Sequence, residues 1–248
     1  MLERTKTCGG MVGYRSGLLS RIGVPHLFTT RIGPGETEFD AGDGDPESMG
    51  ESLRQILGLR LGARVQCARQ VHGAKVVSTG ELPDDTEADG LVSDDPDRGV
   101  VIRTADCVPV LIASEDGSKV AAVHAGWKGL VAGVLPEAVA ELGPGPLVAA
   151  IGPCLSRDHF EVGREVAEAF ETAGLGSAVS TDEGPRPHVD LRRAAELQLF
   201  ECGLKDVDVS ITCTWDDEEC YSHRRDVTHG GRETTGRLAA LIAPIPEL

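Results

Sequence analysis

Short runs of β-branched and small apolar residues, each bounded by Gly, Pro, Asp or Ser, constrain this chain more than any other feature. They are Val65–Ala68, Lys75–Ser78, Val100–Thr104, Val108–Ala113, Val120–His124, Leu147–Ile151 and Val207–Thr212. Runs too short for helices and closed by turn formers predict strands. Val108–Ala113 and Val120–His124 flank Ser114-Glu115-Asp116-Gly117-Ser118 and predict a hairpin. Four amphipathic stretches predict helices: Glu47–Leu57, Leu130–Leu142 with a break at Pro136, Gly163–Ala173, and Leu191–Cys202 between an Asp190 N-cap and a Gly203 stop. Strands outnumber helices and cluster mid-chain, which predicts an α+β fold with mixed β-sheets and outer helices rather than regular βαβ alternation. The acidic segments Asp40–Glu47 and Asp84–Asp97 read as exposed loops. No repeat or linker divides the 248 residues, so a single domain over 1–248 is expected, with 1–24 an irregular N-terminal segment.

Charge and apolar content narrow the function. Forty Asp+Glu against 24 Lys+Arg give a net −16. Such a chain is a poor partner for a nucleic acid polymer, which needs a basic face to neutralise phosphates. The N-terminus lacks the basic start and apolar stretch of a secretory signal, and no apolar run is long enough to span a bilayer. A cytoplasmic protein without a membrane partner, a monomer or weak homodimer, is expected. In a reducing compartment the seven cysteines are thiols, metal ligands or nucleophiles rather than disulfides.

The chain lacks a Walker-type loop, GxGxxG, His-Glu-x-x-His and the Pro-Cys-x-x-Cys of zinc deaminases, since Pro153-Cys154 is followed by Leu155-Ser156-Arg157. Three segments do place a metal-competent side chain beside a strand end or glycine turn: Gln70-Val71-His72-Gly73, Thr104-Ala105-Asp106-Cys107-Val108-Pro109 and Val123-His124-Ala125-Gly126-Trp127-Lys128-Gly129. Two imidazoles and a thiolate suit zinc, and three protein ligands leave a fourth position open. The hairpin would bring Cys107 close to His124. An ordinary reading, in which each residue is merely packed in a core or at the surface, competes with this one. A basic cluster follows near the C-terminus: Ser222-His223-Arg224-Arg225-Asp226, Gly231-Arg232 and Gly236-Arg237. Paired guanidinium groups in an acidic chain suit a phosphate or carboxylate, with Lys128 as a further cation, and salt-bridged surface is the competing reading.

These motifs, together with Ala88-Asp89-Gly90, Ile151-Gly152-Pro153-Cys154 and Cys213-Thr214, resemble the ordered series of the YfiH family, also called the laccase-domain, multicopper polyphenol oxidoreductase or peptidoglycan editing factor family. The resemblance runs from about residue 25 onward. It implies an α+β fold like that of the cytotoxic necrotizing factor catalytic domain, and zinc on His72, Cys107 and His124. It also implies phosphorolysis of adenosine, inosine, guanosine and methylthioadenosine, with nucleoside and phosphate as small-molecule partners, plus hydrolytic deamination of adenosine. On that reading Cys107, His124, Asp106 and Asp89 are catalytic, and Lys128, Arg224, Arg225 and Arg237 hold substrate or phosphate. Copper-dependent phenol oxidation is disfavoured, because the seven histidines contain no His-x-His pair for a copper cluster. The remaining alternatives are a cysteine hydrolase that edits a peptidoglycan precursor, with Cys107 the nucleophile, and a zinc-stabilised non-enzymatic module. The chain departs from the family at Gly44-Asp45-Pro46-Glu47 and Ser52-Leu53, where an Asn-Arg pair is usual and Arg54 is the nearest substitute. Its longer segment after Asp226 leaves Arg232 and Arg237 as rivals for the terminal Gly-Arg, and the apolar run after Arg237 favours that residue.

Overall fold

The computed structural model describes residues 1–7, 9–42, 51, 54–55, 57–58, 63–80, 82–83, 85–181 and 184–246. Most of the predicted Glu47–Leu57 helix, and most of the Gly44–Leu53 departure, lie outside them. Among the described residues, two six-stranded sheets carry the fold. The first contains, in spatial order, β1 (Leu2–Lys6), β2 (Val12–Ser16), β3 (His26–Thr29), β14 (Leu238–Ile242), β7 (Arg98–Thr104) and β4 (Arg64–Gln66). The second runs β13 (Asp206–Val209), β10 (Leu147–Ile151), β8 (Val108–Ser114), β9 (Val120–Ala125), β6 (Gly90–Ser93) and β5 (Val76–Ser78). A small ribbon pairs β11 (Val179–Ser180) with β12 (His188–Val189). Most pairings are antiparallel; β10 with β13, β4 with β7 and β5 with β6 are parallel.

Strand alternation sorts side chains into layers. Val108, Val110 and Ile112 of β8 join one apolar cluster, and Leu111 and Ala113 join another. The second cluster lies between the sheets, mixing Leu111, Val120 and Ala150 with Phe28, Ile102 and Ile242. The first packs the outer face of the second sheet against α2 (Trp127–Val131), α3 (Val134–Leu142), α4 (Arg164–Thr172) and α5 (Leu191–Glu201). This is the predicted α+β arrangement with outer helices.

Several expectations need correction. Residues 1–24 are not irregular: β1 and β2 form a hairpin and α1 (Gly17–Arg21) follows, capped by Ser16 Oγ. These elements are five residues each, too short to leave a periodic signal. Asp84–Asp97 is not an exposed loop, because it contains the wholly buried β6. Leu130–Leu142 is two helices, and the break falls not at Pro136 but at Gly133, whose φ of 82° is the left-handed conformation glycine adopts freely. Pro136 instead sits in the first turn of α3, where its missing N–H costs nothing.

Candidate active site

Three separate segments converge at the end of the β8–β9 hairpin. Cys107 immediately precedes β8, and the register sets Pro109 opposite His124. His72 arrives from the turn after β4, held at a positive φ of 61°. The ligand atoms of His72, Cys107 and His124 all lie within 4.8 Å of one another, and the two imidazoles meet edge to face at 4.8 Å.

Asp89 organises this convergence. Fully buried, its carboxylate accepts the backbone N–H groups of His72 at 2.9 Å and Gly73 at 2.6 Å, and the Nδ1–H of His124 at 2.8 Å. One side chain therefore fixes the His72 turn and the His124 tautomer, leaving Nε2 of His124 for the triad. Burial would raise the Asp89 carboxyl, but the His124 hydrogen bond and the Gly73 amide outweigh it and hold it below its usual range. Burial likewise opposes charge on the other two groups. The His72 and His124 contacts overcome it to bring the Cys107 thiol down, and the Asp89 and Cys107 contacts overcome it to raise His124.

The donor set fits a zinc-class ion on two further observations. A histidine ligand whose second nitrogen donates to a carboxylate is the usual outer arrangement of such sites. Gly126 also leaves a hollow against the triad, since a Cβ there would stand 3.1 Å from His72 Cδ2 and 3.2 Å from Cys107 Sγ.

The triad opens onto a cavity of about 1270 Å³ whose wall includes Arg69, Arg103, Arg224, Arg232 and Arg237. Arg224 lies over the Phe160 ring at 5.2 Å and donates to the Glu161 carbonyl. The Arg237 guanidinium donates to the carbonyls of Thr235 and Gly236. Both Arg232 and Arg237 reach the cavity, and Arg237 directly precedes β14. Arg69 and Arg103 were missed by sequence reasoning, although each stands just before a chemistry-bearing motif. Arg69 pairs with Glu87, whereas the Arg103 guanidinium has no hydrogen-bond partner among the described residues.

Other expected site residues stand elsewhere. Arg225 faces inward: its guanidinium donates to the carbonyls of Thr214, Trp215, Asp217 and Cys220 and to Asp226, which leaves it no share in the cavity wall. Lys128 is exposed beside the Trp127 ring and is likewise absent from that wall. Asp106 does line the cavity, at a φ of 88°, but its carboxylate already accepts Thr214 Oγ1–H and the Arg224 backbone N–H, both at 2.6 Å. Asp89 does not line it at all. Both aspartates thus hold other groups in place.

Residues 26–244 match the family model described as multi-copper polyphenol oxidoreductase laccase. The chain is 38% identical over 234 residues to a Deinococcus radiodurans protein named purine nucleoside phosphorylase, covering 89% of each. It is 35% identical over 233 residues to Escherichia coli purine nucleoside phosphorylase YfiH, covering 89% of this chain and 93% of the other. A crystal structure of a Neisseria meningitidis protein, 33% identical, superposes with a TM-score of 0.77 over 90% of this chain and 95% of that one. The fold is also that of Geobacillus stearothermophilus YlmD, with a TM-score of 0.79 at 24% identity over 98% and 99% of the two chains.

Proposed function

Because the chain belongs to the multi-copper polyphenol oxidoreductase laccase (YfiH) family, we propose that it is a zinc-dependent purine nucleoside phosphorylase that also deaminates adenosine. The observation that carries this reading is the juxtaposition of an N/S donor triad with an arginine-lined cavity in a chain of net charge −16. Zinc held by His72, Cys107 and His124 would supply Lewis-acid polarisation. The absence of any His-x-His pair continues to weigh against a multicopper cluster.

The chain's own residues account for binding and orientation. Arg103, Arg224 and Arg237 bind phosphate as a preorganised cationic wall, and Phe160 and Tyr221 offer ring faces and edges to the purine. In phosphorolysis a phosphate oxygen bonds to the ribose anomeric carbon as the glycosidic C–N bond breaks. The purine leaves with the bonding pair and takes the proton of the dihydrogen phosphate, so no side chain has to supply one. Asp89 keeps the proton on Nδ1 of His124, and Asp106 holds the Arg224 backbone against the cavity. The test is product analysis. Purified zinc-loaded protein should release free base from adenosine only with phosphate and form inosine without it, and Cys107→Ala should do neither; equal product from both proteins would sink the reading.

The lowered Cys107 thiol beside His124 supports a second reading, a cysteine hydrolase acting on a peptidoglycan-precursor amide. Iodoacetamide separates the two: zinc protects Cys107 if it is a ligand, and labelling of metal-loaded protein at an undiminished rate favours the nucleophile.

A further inference from the structure

A second cluster of unlike donors lies outside the cavity wall. The ligand atoms of His159, Cys213 and Asp216 all fall within 4.8 Å of one another. They come from the 3₁₀ turn Arg157–His159 and from the turn after β13. We infer that His159, Cys213 and Asp216 form a second divalent-metal site of the zinc class, with water in its fourth position.

The local structure is arranged for it. An isolated parallel bridge between Cys154 and Cys213 fixes the cysteine backbone, and the Asp217 N–H turns back onto the Cys213 carbonyl, carrying Asp216 toward the sulfur. Cys213 is buried, and its Sγ accepts the Ser156 N–H at 3.4 Å. His159 stacks on Trp215 at 4.9 Å and 16°, and His229 meets the other ring edge-on at 5.1 Å. The ring is thereby held with Nε2 toward Asp216, 2.8 Å from Oδ1. A surface ion pair accounts for His159 and Asp216, but not for a buried thiol with an amide-bonded sulfur at the same point. Bonds of about 2.0–2.1 Å at tetrahedral angles need nitrogen and oxygen roughly 3.3 Å apart, so occupancy requires an opening of about half an ångström, which a partly exposed turn accommodates. The ion would clasp the turn that leads into Phe160 to the segment that leads into Tyr221 and Arg224, joining two stretches of cavity wall.

Cobalt titration of metal-free full-length protein tests this, because a thiolate–cobalt absorption band reports sulfur ligation. Cys107→Ser removes sulfur from the first triad and should keep about one thiolate-bound cobalt per chain. That band should vanish in Cys107→Ser/Cys213→Ser and in Cys107→Ser/His159→Gln. The second pair decides the matter if replacing the buried cysteine disturbs the fold. With Trp127 replaced by Phe, Trp215 is the remaining tryptophan, and its emission should be quenched with the same midpoint. The inference is overturned if Cys107→Ser shows no thiolate band, or if the band survives His159→Gln.

Discussion

Gly126 has an ordinary φ of −73°, so its missing side chain answers a need for space rather than for conformation. Gly126→Ala should therefore fold normally and bind zinc roughly 10–100-fold more weakly, the range seen when the surroundings of metal ligands are disturbed. A competition titration against a chromophoric chelator measures it; unchanged affinity would show that the hollow is incidental. The neighbouring arginines Arg224 and Arg225 separate in the same way. Arg225→Lys cannot reach four carbonyls at once and should lose about 2–4 kcal/mol in urea unfolding. Arg224→Lys should leave stability nearly unchanged and raise the phosphate KM roughly tenfold or more, the cost of one charge-assisted bond. If Arg225→Lys instead raised the KM at constant stability, the inward placement of Arg225 would be wrong. Sequence alone marks the pair as basic, but only the carbonyls of residues 214–220 tell one arginine from the other.

At the level of elements, β2 and β3 meet at a neutral histidine. His26 Nδ1–H donates to the Val24 carbonyl and Nε2 accepts the Ser16 N–H, both at 2.8 Å. Burial pushes this imidazole from 6.5 down to about 4. Between those values the unfolded chain binds more protons than the folded one, so stability falls as pH drops through the window, by roughly 3 kcal/mol over its full width. Urea unfolding from pH 7 to pH 4 should give a steeper loss for the wild type than for His26→Gln, and matching slopes would refute the assignment. The strands β5, β7, β8, β9, β10 and β13 were legible because their apolar runs end at turn formers, and α4 and α5 because of amphipathic spacing and, for α5, the Asp190 cap. The hairpin logic also placed Cys107 and His124 together. What stayed illegible was β1 and β2, a hairpin of strands too short to leave a periodic signal, β3 and β14, whose mutual pairing is long-range, and β6, hidden in a segment read as acidic although its carboxylate Asp89 is buried to bind three backbone amides and His124.

Across the whole molecule the apolar clusters are built from strands and helices, with the metal triad at their margin. Chelation should therefore abolish nucleoside turnover while leaving far-ultraviolet circular dichroism intact; loss of the spectrum with the metal would favour a zinc-stabilised structural module instead. The arginine wall inside a −16 chain also predicts a phosphate KM that rises with ionic strength, since salt screens the local field. The placement of β14 has a further consequence for biosynthesis. It occupies the slot between β3 and β7, so the first sheet has a vacant centre until residue 242 emerges from the ribosome. At ordinary elongation rates of about 5–20 residues per second, β3 waits roughly 10–40 s for its neighbour. During that interval its unpaired edge is a target for chaperones, and a messenger that stalls before Leu238 yields a chain that cannot close its first sheet.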